Sequence, residues 1–140
     1  MKEIIRNVLA ALAGAFTGLA VMIASQILSA QIHPLPAGVD PKDKVAMGEF
    51  ISQAPLAALL IVLAGYFVGV TAAAWVAGRV SYRGQSRQAI MVGGLFFVAS
   101  LMNLTSFPHP AWFWAANLAA VVAGTWLGIK LLPARQEPAA

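Results

Sequence analysis

Three long runs in this chain carry no Asp, Glu, Lys or Arg, and they limit the fold more than any other feature. Thirty-three residues separate Arg6 from Asp40, twenty-nine separate Glu49 from Arg79, and forty-two separate Arg87 from Lys130. A stretch of about 20 apolar residues crosses a hydrocarbon core roughly 30 Å thick. The first two runs hold one crossing each, and the third holds two, folded over a Pro-rich turn. The sequence therefore predicts an all-α integral membrane protein, a four-helix transmembrane bundle within a single domain over 1–140. Its spans are expected at about 4–29, 48–78, 88–105 and 111–132.

Composition agrees with this. Apolar residues make up 60% of the chain and charged ones 10%, against about 45–50% and 25% in soluble domains. A disordered chain, a multi-domain enzyme and a nucleic-acid-binding module are excluded. The formal charge of +4 does not argue for nucleic acid, because the basic residues flank apolar spans as in membrane topology. With no cysteine, disulfides, thiolate zinc sites and dithiol redox chemistry are absent. The apolar run after Lys2 and Arg6 is longer than a signal-peptide core, so the first span is expected to remain uncleaved.

Proline sets the connections. The segment Gln31–Pro41 holds Pro34, Pro36, Pro41 and Gly38, and proline pushes the residue before it out of the α region. It is expected to form an ordered, extended loop, with Asp40 as the N-cap of the next helical segment and Pro41 at its first position. Pro55 predicts a kink near Ser52 inside the second span. Arg79 to Arg87 reads as a basic loop, Ser106–Pro110 as a tight hairpin, and 133–140 as a frayed tail.

The distribution of basic residues selects a side. Lys2, Arg6, Arg79, Arg83, Arg87, Lys130 and Arg135 lie at the N-terminus, the second loop or the C-terminus, whereas Lys42 and Lys44 are offset by Asp40, Asp43 and Glu49. The positive-inside rule then places both termini in the cytoplasm and the Pro-rich loop outside. Trp75, Trp126 and Tyr82 form an inner aromatic belt, and Phe50, Phe107, Trp112 and Trp114 an outer one.

Small residues mark where helices can approach closely in lipid. The first span carries Gly14 and Gly18, the second Gly65, Gly69, Ala73 and Ala77, and the fourth Ala116, Ala120, Gly124 and Gly128. These ladders serve packing within the bundle, and a surplus face would join a second subunit. The stretch 73–79 also overlays 124–130 without a gap, and His33-Pro34 matches His109-Pro110. Either shared membrane constraints or a parallel repeat of two hairpins accounts for this.

The residues able to carry chemistry gather at the outer side. They are His33, His109, Asp40 and Glu49, with Gln26, Asn103, Asn117 and Trp112 near the outer helix ends. Two histidines and a carboxylate are a known metal set, which makes His33 and His109 candidate ligands. A lone loop histidine beside a proline more commonly bonds a backbone carbonyl, and no HxH or HxxxH spacing is present. Asn103 and Asn117 should meet across the hairpin, either in a structural bond between helices or with Gln26, or as the lining of an outer vestibule. No Asp, Glu, Lys or Arg lies deep in a span, which argues against a proton-coupled carrier. No nucleophile–base pair, phosphate loop or HExxH helix occurs, and no cofactor is expected.

Two motifs, His33-Pro34-Leu35-Pro36-Ala37-Gly38-Val39-Asp40 and Pro108-His109-Pro110-Ala111-Trp112-Phe113-Trp114, resemble those of a group of small bacterial four-span membrane proteins. The resemblance covers most of the chain. It implies the same architecture and a multi-pass location in the bacterial inner (plasma) membrane, and it supplies no functional residue. From the residues themselves the expected function is association in the bilayer, as a homo-oligomer or an accessory subunit of a membrane complex. The alternatives are an oligomeric passive facilitator lined by Asn103, Asn117 and Gln26, and a metal-dependent outer site.

Overall fold

The computed structural model describes residues 1–82 and 85–133. Arg83, Arg135 and most of the expected frayed tail lie outside the described residues. Five helices follow one another: α1 Lys2–Ile32, α2 Lys44–Ser52, α3 Leu56–Val80, α4 Gln85–Ser106 and α5 Ala111–Lys130. The described residues form no strand. All but α2 are long and apolar enough to cross a membrane, and the protein is a multi-pass, all-α membrane bundle.

The expected second span is two helices rather than one kinked helix. Proline at position 55 has no N–H to donate, and its ring would clash with the carbonyl four residues back. The chain responds by stopping at Ser52 and restarting at Leu56, with Pro55 itself extended (φ −63°, ψ 147°) as the new N-cap. The short α2 is capped by Asp43, three residues beyond the expected Asp40. One Asp43 Oδ1 accepts from the amides of Val45 (2.9 Å) and Ala46 (3.2 Å). Asp40 instead accepts from the Lys42 amide in a local turn. The loop before α2 also turns rather than running extended throughout. The Val39 amide donates to Pro36 O, with Gly38 at φ +89°, a left-handed position that glycine occupies without penalty.

Helix α3 is the hub, packing against α1, α4 and α5. The small-residue ladders make this possible, and every one of them is used inside the chain. Gly14 faces Ala73 and Ala77, Gly18 faces Ala73 and Phe96, Gly65 faces Ser25, and Gly69 approaches the backbone of Gly18. On the other side Gly124 packs on Phe67 and Thr71, and Gly128 on Thr71 and Ala74. A parallel repeat would exchange α1 with α4 and α3 with α5, matching the α3–α4 contact with an α1–α5 one. Only the former is among the substantial contacts, so the two hairpins occupy unequal places. The core is Met22, Val70, Ala73, Ala77, Val92, Phe96 and Val121.

One end of the bundle, the basic end, is fastened by α1. Arg6 Nε donates to Val80 O (2.9 Å), Asn7 Oδ1 accepts from the Tyr82 amide (3.0 Å), and Gln88 Nε2 donates to Asn7 O (2.6 Å). The opposite end carries both histidines and a cavity.

Candidate functional site

At the histidine end, α1, α3, α4 and α5 enclose a cavity of about 220 Å³ that α2 covers. Helix α2 is seated there by its one buried residue, Gly48, which lies directly against the ring of Pro108 in the α4–α5 turn. Any side chain at 48 would push the two apart. The first loop and the third turn thus meet through a glycine and a proline, and α2 forms the roof.

Each histidine ties one piece of this roof in place. His33 terminates α1, where its amide donates to Ser29 O. Its ring stacks on Phe50 of α2 with centroids 4.2 Å apart and planes 13° from parallel. Its Nε2 donates to Phe50 O at 3.0 Å. His109 stacks on Phe113 at 5.2 Å and 12°, and its Nδ1 donates to Phe107 O at 2.8 Å. A carbonyl only accepts, so the bonded nitrogen of each ring carries a proton. In a neutral imidazole the second nitrogen, Nδ1 of His33 and Nε2 of His109, offers a lone pair. The backbone bonds expected of histidines beside prolines are present, and both rings also reach one cavity.

Gln26 of α1 and Asn103 of α4 join them on the lining. Neither amide forms a hydrogen bond among the described residues. Ser29 also lines the cavity and donates to Ala58 O across the α1–α3 contact at 3.1 Å. The walls are otherwise apolar or aromatic, from Phe50, Phe107, Phe113, Val62 and Leu59, with Tyr66 of α3 at the depth of the bundle core.

The remaining expected residues stand apart. Asp40 and Glu49 are exposed and do not line the cavity. Trp112 is exposed and meets Phe113 edge-on at 5.7 Å. Asn117 is 1% exposed, one turn below Phe113 and outside the lining. Its Oδ1 and the Oγ of Ser100 on α4 are buried without a hydrogen-bond partner among the described residues, so the expected amide bond between Asn103 and Asn117 is not formed. Among the described residues no three His, Asp or Glu side chains gather as a metal site would require. The structure joins the two histidines and separates them from both carboxylates.

Sequence reasoning missed Tyr66, Ser29 and Phe113. Each reads as an ordinary residue of an apolar span. Tyr66 alone had a signal, as the one tyrosine in the uncharged run between Glu49 and Arg79.

No protein-family model, curated protein or solved structure matches the chain. The chemistry of the cavity is therefore the ground for a functional reading.

Proposed function

We propose that the protein is a membrane-embedded binding protein that holds a small uncharged molecule in the cavity beneath α2, on the outer side of the bacterial plasma membrane. The observation that carries this is the convergence of four polar side chains, Gln26 and His33 from α1 and its C-cap, Asn103 from α4 and His109 from the α4–α5 turn, on one mostly apolar pocket. Apolar walls with a few placed polar groups are the usual form of a ligand site. Among the described residues no Asp, Glu, Lys or Arg lines the cavity, so a charged ligand would be desolvated without a counter-charge. A flat ring or short apolar body with a hydroxyl or carbonyl fits stacked rings, two amides and two imidazole lone pairs.

Binding is favoured over passage by what lies below. On α3 the lining ends at Tyr66, and the next turn begins with Val70, fully buried in the core with Met22, Phe96 and Val121. A facilitator built from one chain would need that plug to move. The metal alternative loses its carboxylate, since Asp40 and Glu49 stand away from the histidines.

Phenol is a suitable probe, with one ring and one hydroxyl. In lipid nanodiscs containing ¹⁵N-histidine protein, phenol should shift the ring nitrogens of His33 and His109 saturably. Asn103→Leu should weaken the response about tenfold, as expected for losing one buried polar contact. Histidine resonances unmoved by phenol, together with no small non-lipid mass on protein released gently from its own membrane, would remove this reading.

A further inference from the structure

At the basic end, away from the cavity, α4 and α5 part on their outward faces and leave an apolar groove of about 300 Å³. Its walls are Ile90, Gly94 and Phe97 of α4 and Val122, Trp126 and Ile129 of α5. Two adjacent glycines divide the work. Gly93 abuts Thr125 and brings the helices together, whereas a methyl group on Gly94 would meet nothing within 4 Å. Gly94 is the floor of an open channel along the lipid-facing side.

The groove ends between two cations. Arg87, Ile90, Gly94 and Phe97 follow one another at spacings of three and four, so Arg87 stands on the same stripe of α4 as the groove wall. On α5 the Lys130 ammonium lies 5.7 Å over the ring of Trp126, itself a wall residue. The contact of Gly93 with Thr125 sets the antiparallel register, which brings Arg87 level with Leu131 and so beside Lys130. Neither cation forms an ion pair among the described residues.

We propose that this groove is a binding site for an anionic phospholipid, with an acyl chain along Gly94 and the phosphate between Arg87 and Lys130. Basic pockets between transmembrane helices recognise such head groups. A zwitterionic lipid carries its own ammonium toward the two side chains and gains less. A second copy docked about a twofold axis would bring its own Arg87 and Lys130 to the same end, setting like charges together. The charge pattern thus selects lipid over self-association.

Native mass spectrometry of the full chain in mild detergent, titrated with phosphatidylglycerol and with phosphatidylcholine of identical acyl chains, tests this. The unmodified protein should hold phosphatidylglycerol at least about tenfold more tightly, as two phosphate contacts allow. The double variant R87Q/K130Q should bring the two lipids within about twofold. Gly94→Leu fills open space, so it should keep the melting temperature while weakening both lipids about tenfold. Equal affinity for the two lipids in the unmodified protein, or a Gly94→Leu variant that retains phosphatidylglycerol, would overturn the proposal. A dimer that Gly94→Leu converts to monomers would overturn it in favour of a second copy.

Discussion

Gly48 rests on Pro108 so closely that a Cβ at position 48 would lie 2.5 Å from the proline Cγ. This contact joins the first loop to the third and closes the roof of the cavity. Proline is rigid, so the strain of a larger residue must be relieved by moving α2. Gly48→Leu should lift α2 from the α4–α5 turn while leaving the four spans assembled, because α2 packs there through Gly48 alone among its fully buried residues. The expected result is faster amide exchange throughout 44–52, at a cost to the folded roof of about 1–3 kcal/mol typical of overpacking. Unchanged protection of α2 would mean that other contacts hold it.

The ladders on α5 give a second test, which separates packing within the chain from assembly between chains. A Cβ at Gly128 would meet both the Thr71 carbonyl and the Ala74 methyl at 2.7 Å, whereas one at Gly94 meets nothing within 4 Å. Gly128→Leu should therefore destabilise the monomer itself by about 1–3 kcal/mol or more. Gly94→Leu should fall within about 0.5 kcal/mol of the parent, as surface substitutions do. Unfolding in mixed micelles at a protein concentration where the chain is monomeric measures both. A Gly128→Leu variant as stable as the parent, yet altered in oligomeric size, would return the ladder to an interface between subunits.

These two glycines also show how far the sequence could be read. Long uncharged runs demand helices that satisfy their own backbone in lipid, so the spans were legible from the charges that bound them, Arg6, Asp40, Glu49, Arg79, Arg87 and Lys130. Spacings of four marked Gly124 and Gly128 as contact residues, but spacing does not name the partner helix. That α3 receives both α1 and α5 depends on tertiary packing. Pro55 announced a disturbance without saying whether the helix bends or breaks. At the site, the histidines and Asn103 were legible as polar groups in apolar surroundings. Their separation from Glu49 was not, because it follows from Asp43 capping α2 and turning Glu49 outward. Ser29 and Phe113 look like any other span residues until the helices are assembled.

Asn7 supplies a third prediction at the basic end. Its side-chain oxygen accepts from the Tyr82 amide at 3.0 Å, and its backbone carbonyl accepts from Gln88, so one residue of α1 holds both the end of α3 and the start of α4. Asn7→Ala removes the first bond and keeps the second. A loss of about 1 kcal/mol is expected for one such hydrogen bond, with faster exchange at Tyr82 and Gln88 little affected. If both sites loosened together, Asn7 would be acting through the position of α1 rather than through its amide.

Asn117 gives the sharpest contrast between a polar group that holds the fold and one that does not. It is 1% exposed, and its Oδ1 has no hydrogen-bond partner among the described residues. A buried acceptor left unsatisfied carries its full desolvation cost, about 1–3 kcal/mol, whereas an apolar group of the same shape carries none. Leucine has the same branching and number of side-chain heavy atoms as asparagine, and the neighbours of Asn117 on α5 include the apolar Phe113 and Val121, both buried. Asn117→Leu is therefore expected to leave stability unchanged or raise it by about 1–3 kcal/mol. Ser100→Ala, which deletes the other orphaned oxygen, should act in the same direction with a smaller gain. Were the two side chains bonded to each other in the bilayer, each single variant would strand its partner and lower stability, and the double variant would recover much of the loss. A double-mutant cycle on Ser100 and Asn117, measured by unfolding in lipid, distinguishes these outcomes by sign: additive neutral or favourable changes support two independent unsatisfied groups, and a coupled loss with recovery shows a bond between α4 and α5.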